Sequence, residues 1–233
     1  MGFIMIRQPF VSVDTLRTLA LLHKIADAWG VPESGNPKRW YMFREAFNER
    51  LAKQWGYARK EDCPTLERGN AWKPYFYGER ALSYEDARSK NRLTLLDSLY
   101  HGAYELYRFG PAELWFSLFG SGIELRLCIG DDYSNYSDYR QVISDMLQKL
   151  HHGDLNDGDG YVSYLSKSMA FYRAMMEINL ILPVFTDLSE IRNCIVYCLE
   201  DSFVLDELYS LGVIEHINHM FEPMVGHILT GPA

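Results

Sequence analysis

Asn36-Pro-Lys-Arg-Trp-Tyr-Met-Phe-Arg-Glu-Ala-Phe-Asn-Glu-Arg-Leu-Ala-Lys-Gln-Trp-Gly56 is the stretch that decides the fold. Trp40, Phe43, Phe47, Leu51 and Trp55 recur at three- and four-residue steps. That spacing gathers apolar side chains on one side of an α-helix. Asn36–Pro37 supplies an N-cap followed by a first-turn proline, and Gly56 supplies the stop. The stripe predicts that Trp40 and Trp55 lie in a core.

Similar patterns extend in both directions. Leu16, Leu19, Leu22, Ile25, Ala26 and Trp29 predict a helix closed by Gly30. Residues 57–82 carry Cys63–Pro64, Gly69–Asn70, Pro74 and Gly78, which predicts a loop with one short helix. Ser83 and Asp86 resemble the start of a capping box. From Leu93 through Leu96, Leu99, Tyr100, Ala103 and Leu106 to Tyr107 the pattern predicts one continuous helix, stopped at Gly110–Pro111. A short helix through Trp115 and Leu118 follows. The alternation of Ile123 to Ile129 predicts a small strand pair near 122–129.

Beyond Gly130 the pattern is helical again. Stripes cover Val142–Leu150, Tyr161–Leu182, Leu188–Leu199 and Ser202–Leu211, the last capped by Gly212. A final helix through Ile214, Ile217, Phe221 and Val225 is broken near Pro223. The fold expected is mainly α. An irregular multi-helix half, residues 1–130, packs against a helical bundle, residues 131–233, in one compact molecule.

Composition bounds the function classes. With 48% hydrophobic and 23% charged residues, the 233-residue chain is neither disordered nor fibrous. Only four cysteines occur, which speaks against a disulfide scaffold and for a reducing cytoplasm. Met1–Phe10 is interrupted by Arg7 and Pro9 and does not read as a signal segment. Nothing approaches a membrane span, so no membrane partner is expected.

The charge is uneven. Residues 1–110 carry 17 Lys/Arg against 13 Asp/Glu, and residues 111–233 carry 6 against 18, balances of +4 and −12 that add to the net −8. Between residues 38 and 80, ten cations alternate with tryptophans and tyrosines. Cations neutralise phosphates and aromatic faces stack on bases. If this segment binds, the exposed residues expected to make contact are Lys38, Arg39, Arg59, Lys60, Trp72, Lys73, Tyr75 and Arg80. Glu45, Glu49, Glu61, Asp62, Glu67 and Glu79 dilute the positive field.

The run Asn70–Ser83 resembles the exit of the recognition helix in repressor-type helix-turn-helix domains, with its aromatic run and its Gly78-x-Arg80-x-x-Ser83 turn. It departs from that pattern at Pro74, inside the would-be helix, and assigns no family.

Other constellations yield to structural readings. Asp154, Asp157 and Asp159 offer oxygens, but glycine does not fall at the sixth position a calcium loop requires. His151 and His152, or His216 and His219, could join a carboxylate around a metal, yet helix-end histidines also answer the helix dipole. Cys194 and Cys198 lie on an apolar stripe, where thiols pack as small hydrophobes. Gly120-Ser121-Gly122 lacks nucleophile-elbow spacing, and no phosphate-loop or dinucleotide fingerprint occurs. No cofactor is expected.

The expectation that follows leans away from an enzyme. It is a cytoplasmic accessory or regulatory protein that binds a macromolecule, nucleic acid in one version. Two alternatives stand beside it. The acidic half neutralises a basic protein, or the His/Asp residues serve a metal-dependent hydrolase.

Overall fold

A computed structural model describes residues 12–32, 38–59, 62, 70–120, 148, 152, 161–181 and 189–217. These residues form a mainly α-helical protein, with no strand among them. The 122–129 strand pair, the 130/131 boundary and the Asn36–Pro37 cap lie outside the described residues, as does nearly all of the 142–150 stripe. Among the described residues no helix is long and apolar enough to cross a membrane.

Helix α1, Val13–Ala28, begins on Ser12, whose Oγ accepts from Thr15 N at 3.2 Å. It ends as the sequence predicts. Gly30 (φ +72°) donates to Asp27 O, and Val31 N donates to Ala26 O. This pair of bonds is a Schellman closure, and it needs a residue that tolerates a left-handed backbone. Helix α2, Arg39–Gln54, closes the same way at Gly56. Helix α3 is only Lys73–Phe76, with Pro74 in its first turn. Four residues do not make a recognition helix, and Tyr75 and Phe76 point into the core.

Helix α4, Ala87–Leu99, starts on Asp86, whose carboxylate accepts from Arg88 N and Ser89 N. The Ser89 hydroxyl, with these amides, holds the Asp86 carboxyl below its ordinary range. The predicted continuous helix from Leu93 to Tyr107 breaks here. Tyr100 is extended, Gly102 is left-handed (φ +88°), and helix α5 restarts at Ala103–Phe109. Asp97 Oδ1 accepts from Tyr104 N at 3.2 Å, satisfying a first-turn amide of the new helix. The apolar spacing survives the break, since Leu93, Leu96, Ala103 and Tyr107 are all buried.

A 3-10 turn at Pro111–Glu113 leads into helix α6, Leu114–Phe119. Helices α7 (Val162–Ile181), α8 (Ser189–Glu200) and α9 (Ser202–Ser210) complete the described architecture. Glu207 on α9 accepts from Val162 N at 2.9 Å, capping α7 from outside its own sequence. Arg173 on α7 donates to Ser117 O and Gly120 O, which satisfies carbonyls at the end of α6. Ser117 and Ser166 hydroxyls pair at 2.7 Å inside the same packed contact.

Two hydrophobic clusters share α1. Leu16, Leu19 and Ala20 join Leu114 and Trp115 of α6 to Val162, Leu165, Met169, Ile195, Cys198, Val204 and Leu208. Leu21, Leu22, Ile25 and Ala26 pack with Trp40, Phe43, Phe47, Trp72, Phe76, Leu93 and Tyr107. Between them, buried Thr18 donates to Asp14 O and accepts from Leu82 N at 2.9 Å. Tyr107 Oη donates to Leu82 O, so both backbone polar groups of Leu82 are satisfied.

Candidate functional site

The helix that carries most of the basic-aromatic segment also supplies core, so its cations divide by environment. Arg39 lies at the first turn of α2 with its side chain against α1 and is 3% exposed. Its guanidinium donates to Pro32 O (2.6 Å), Asp27 Oδ1 (2.8 Å), His23 O (3.2 Å) and Ser210 O (3.4 Å). The sequence expectation of an exposed Arg39 is therefore overturned. A planar fork suits several carbonyls at once, and here it bonds four acceptors on three chain segments, α1, the stretch at Pro32 and the end of α9.

Trp72 and Tyr75 are likewise buried, against the expectation. Trp72 packs on Phe47 at 5.6 Å and on Tyr75 at 5.9 Å. Arg92 lies over the Tyr75 ring at 4.9 Å and donates to its hydroxyl at 2.7 Å. The aromatic alternation from Trp72 to Tyr77 serves the core first. Trp40 is in the core as predicted, whereas Trp55 is 40% exposed because the helix ends beside it.

Lys38, Arg59, Lys73 and Arg80 are exposed, and Lys60 lies outside the described residues. Among the described residues, Arg59, Lys73 and Arg80 have no carboxylate partner, whereas Arg44 pairs with Glu45 and Lys53 with Glu49. Three exposed apolar side chains stand near these cations. Tyr41 (53%) and Met42 (44%) project from α2, and Tyr77 (52%) follows α3. Arg44 lies over the Tyr41 ring at 5.7 Å and reaches Asn70 Oδ1 at 3.3 Å. Buried Trp40 meets the Tyr77 ring with centroids 6.5 Å apart, which joins α2 to the end of α3. Tyr41 and Tyr77 are exposed rings of this segment that the expected binding set leaves out.

His23 has no part in any sequence motif, yet its environment perturbs it strongly. Its ring stacks on Phe76 at 4.7 Å, and Nε2 lies 3.3 Å from Phe76 O. Burial, then the Arg39 charge, lowers its pKa to about 4 against the pull of hydrogen bonds with Phe76 and Ser210 backbone. It is neutral at physiological pH.

The metal-ligating constellations are incompletely described. His152 is exposed and His216 half-buried, while His151, His219, Asp154, Asp157 and Asp159 lie outside the described residues. Among the described residues no three His, Cys, Asp or Glu side chains converge as metal ligands. Cys198 is buried in the first cluster. Compared with protein-family models, with curated proteins and with solved structures, the chain matches none.

Proposed function

We propose that this is a non-catalytic, cytoplasmic accessory or regulatory protein that binds a macromolecular partner, and that the partner is a nucleic acid held along the edge formed by α2 and α3. One observation carries the reading. Exposed Tyr41 and Lys38 at α2, and exposed Tyr77 and Lys73 at α3, the last a cation lacking a carboxylate partner among the described residues, belong to two elements joined by the Trp40–Tyr77 ring contact at 6.5 Å. Rings offer stacking to any base, and free cations replace counterions on phosphates. Arg80 and Arg59 extend the positive surface, whereas Arg39, Trp72 and Tyr75 support it from the core.

The net charge of −8 sets a limit on this mode. Long-range attraction is weak, so binding is local and falls quickly with salt. The test is a gel-shift titration of the full chain with a labelled single-stranded oligonucleotide across a salt series. The expected result is a linear fall of log K with log salt concentration. A flat response, or no shift at low salt, overturns the reading.

A further inference from the structure

A cleft of about 370 Å³ opens where α4 and α5 approach the loop before α4. It is lined by Tyr84, Lys90, Tyr104 and Arg108, none of which belongs to the α2–α3 edge. Its volume lies within the usual range for small-ligand sites, and its lining mixes aromatic walls with cations.

The rings are fixed by one another. Tyr84 meets Tyr104 edge-on, with centroids 5.5 Å apart and planes at 67°, and meets Tyr107 at 5.0 Å and 71°. Tyr107 is wholly buried and bonded to Leu82 O, so the stack rests on the core. Tyr104 at its outer end is 40% exposed, which leaves ring surface accessible.

Lys90 comes from the first turns of α4 and Arg108 from the end of α5, and both are exposed. Neither has a carboxylate partner among the described residues. Arg108 is braced over the Phe109 ring at 4.9 Å. Asp14, an acid whose charge acts on Tyr84, is already engaged by Arg17 at 3.6 Å and by Tyr107 Oη at 3.3 Å. The Tyr84 hydroxyl is buried without a hydrogen-bond partner, and so is Nε of nearby Arg17. Buried donors of this kind are rare in folded proteins and mark places where an acceptor belongs.

We propose that this cleft binds a small phosphate monoester that also carries a planar ring, with Lys90 and Arg108 holding the phosphate and Tyr104 packing against the ring. Two unpaired cations of different shape, a point charge and a fork, match a dianion better than a single carboxylate. Free aromatic phosphates and nucleoside monophosphates share this chemistry.

The test uses the full chain and calorimetric titration with phenyl phosphate, adenosine 5′-monophosphate, inorganic phosphate and benzyl alcohol. Saturable binding of phenyl phosphate is expected, with Kd on the order of 1 mM or tighter. Inorganic phosphate should bind about tenfold more weakly and benzyl alcohol not measurably. The adenosine arm separates the two sources, a tighter Kd than phenyl phosphate indicating a nucleotide and a weaker one a simple aryl phosphate. Lys90→Gln and Arg108→Gln are exposed changes that should leave the thermal melt in place. Each should weaken phenyl phosphate about tenfold, the loss expected from one charged hydrogen bond. Tyr104→Leu should abolish the advantage over inorganic phosphate. Absence of saturable binding, equal affinity for the neutral alcohol, or indifference to both charge substitutions in folded protein would overturn the proposal.

Discussion

Arg39 and Ser210 stand 171 positions apart in the chain and are joined by a hydrogen bond of 3.4 Å from guanidinium to backbone oxygen. The same guanidinium holds Asp27 on α1 and the Pro32 and His23 carbonyls. A residue with every outward mark of a surface cation is thus a bracket between the start of α2 and the end of α9. Replacing it with methionine should destabilise the protein by about 3 kcal/mol, since three backbone carbonyls and a carboxylate lose their donor. Lysine should recover only part of that, because a point charge cannot span the fork. Urea unfolding of both variants checks the order.

His23 beside that bracket gives a pH signature. Its folded pKa, about 4, lies below the ordinary imidazole value of 6.5, so the native state resists protonation. The stability it contributes is fully present above pH 6.5 and declines as the pH falls toward 4, where the unfolded chain binds the proton first. Over that window one proton corresponds to about 3 kcal/mol at most. In His23→Gln the dependence of unfolding free energy on pH between these limits should flatten by about one proton. An unchanged slope would remove His23 from the acid response.

Two glycines with positive φ should behave differently on substitution. Gly102 has open space where a Cβ would lie, so Gly102→Ala should cost about 1 kcal/mol of backbone strain. Gly110 has φ +82° and ψ 176°, a region that essentially only glycine occupies, and a Cβ there would sit 2.7 Å from the buried Trp115 ring. Gly110→Ala should therefore cost about 3 kcal/mol or more. Thermal melts of the pair test whether the ring contact adds to the strain.

Lys73→Gln with Arg80→Gln tests the proposed nucleic-acid edge without touching the core, since both side chains are exposed. On a single strand the slope of log K against log salt should fall in magnitude by about 1.4, roughly 0.7 for each lost phosphate contact. Equal slopes for the double variant and the parent protein would exclude these residues from the interface.

Helix content and stops were legible because they depend on local physics. The Schellman closures at Gly30, Gly56 and Gly212 need only a glycine after an apolar stripe. The break at Tyr100–Gly102 was not, because the apolar spacing runs through it unchanged while a left-handed glycine and the Asp97 carboxylate redirect the backbone. Exposure was the least legible property. Arg39 and Tyr75 are buried by partners 12 to 171 positions away in sequence, including Asp27, Arg92 and Ser210. Tyr84 and Tyr104 came together by the same kind of long-range packing, which no spacing rule anticipates.

The sharing of α1 by both clusters sets an order of assembly during synthesis. Everything that packs on Leu21, Leu22, Ile25 and Ala26 in the second cluster has been translated once residue 107 is made. Leu16 and Leu19, on the neighbouring part of the same helix, wait for Val162 to Ile217 before their covering is complete. A nascent chain paused between those points carries a half-dressed helix with a naked leucine flank, the kind of surface that chaperones engage and that invites self-association. Arg39 can reach Pro32, His23 and Asp27 early, whereas its bond to Ser210 has to wait until the end of α9 is made.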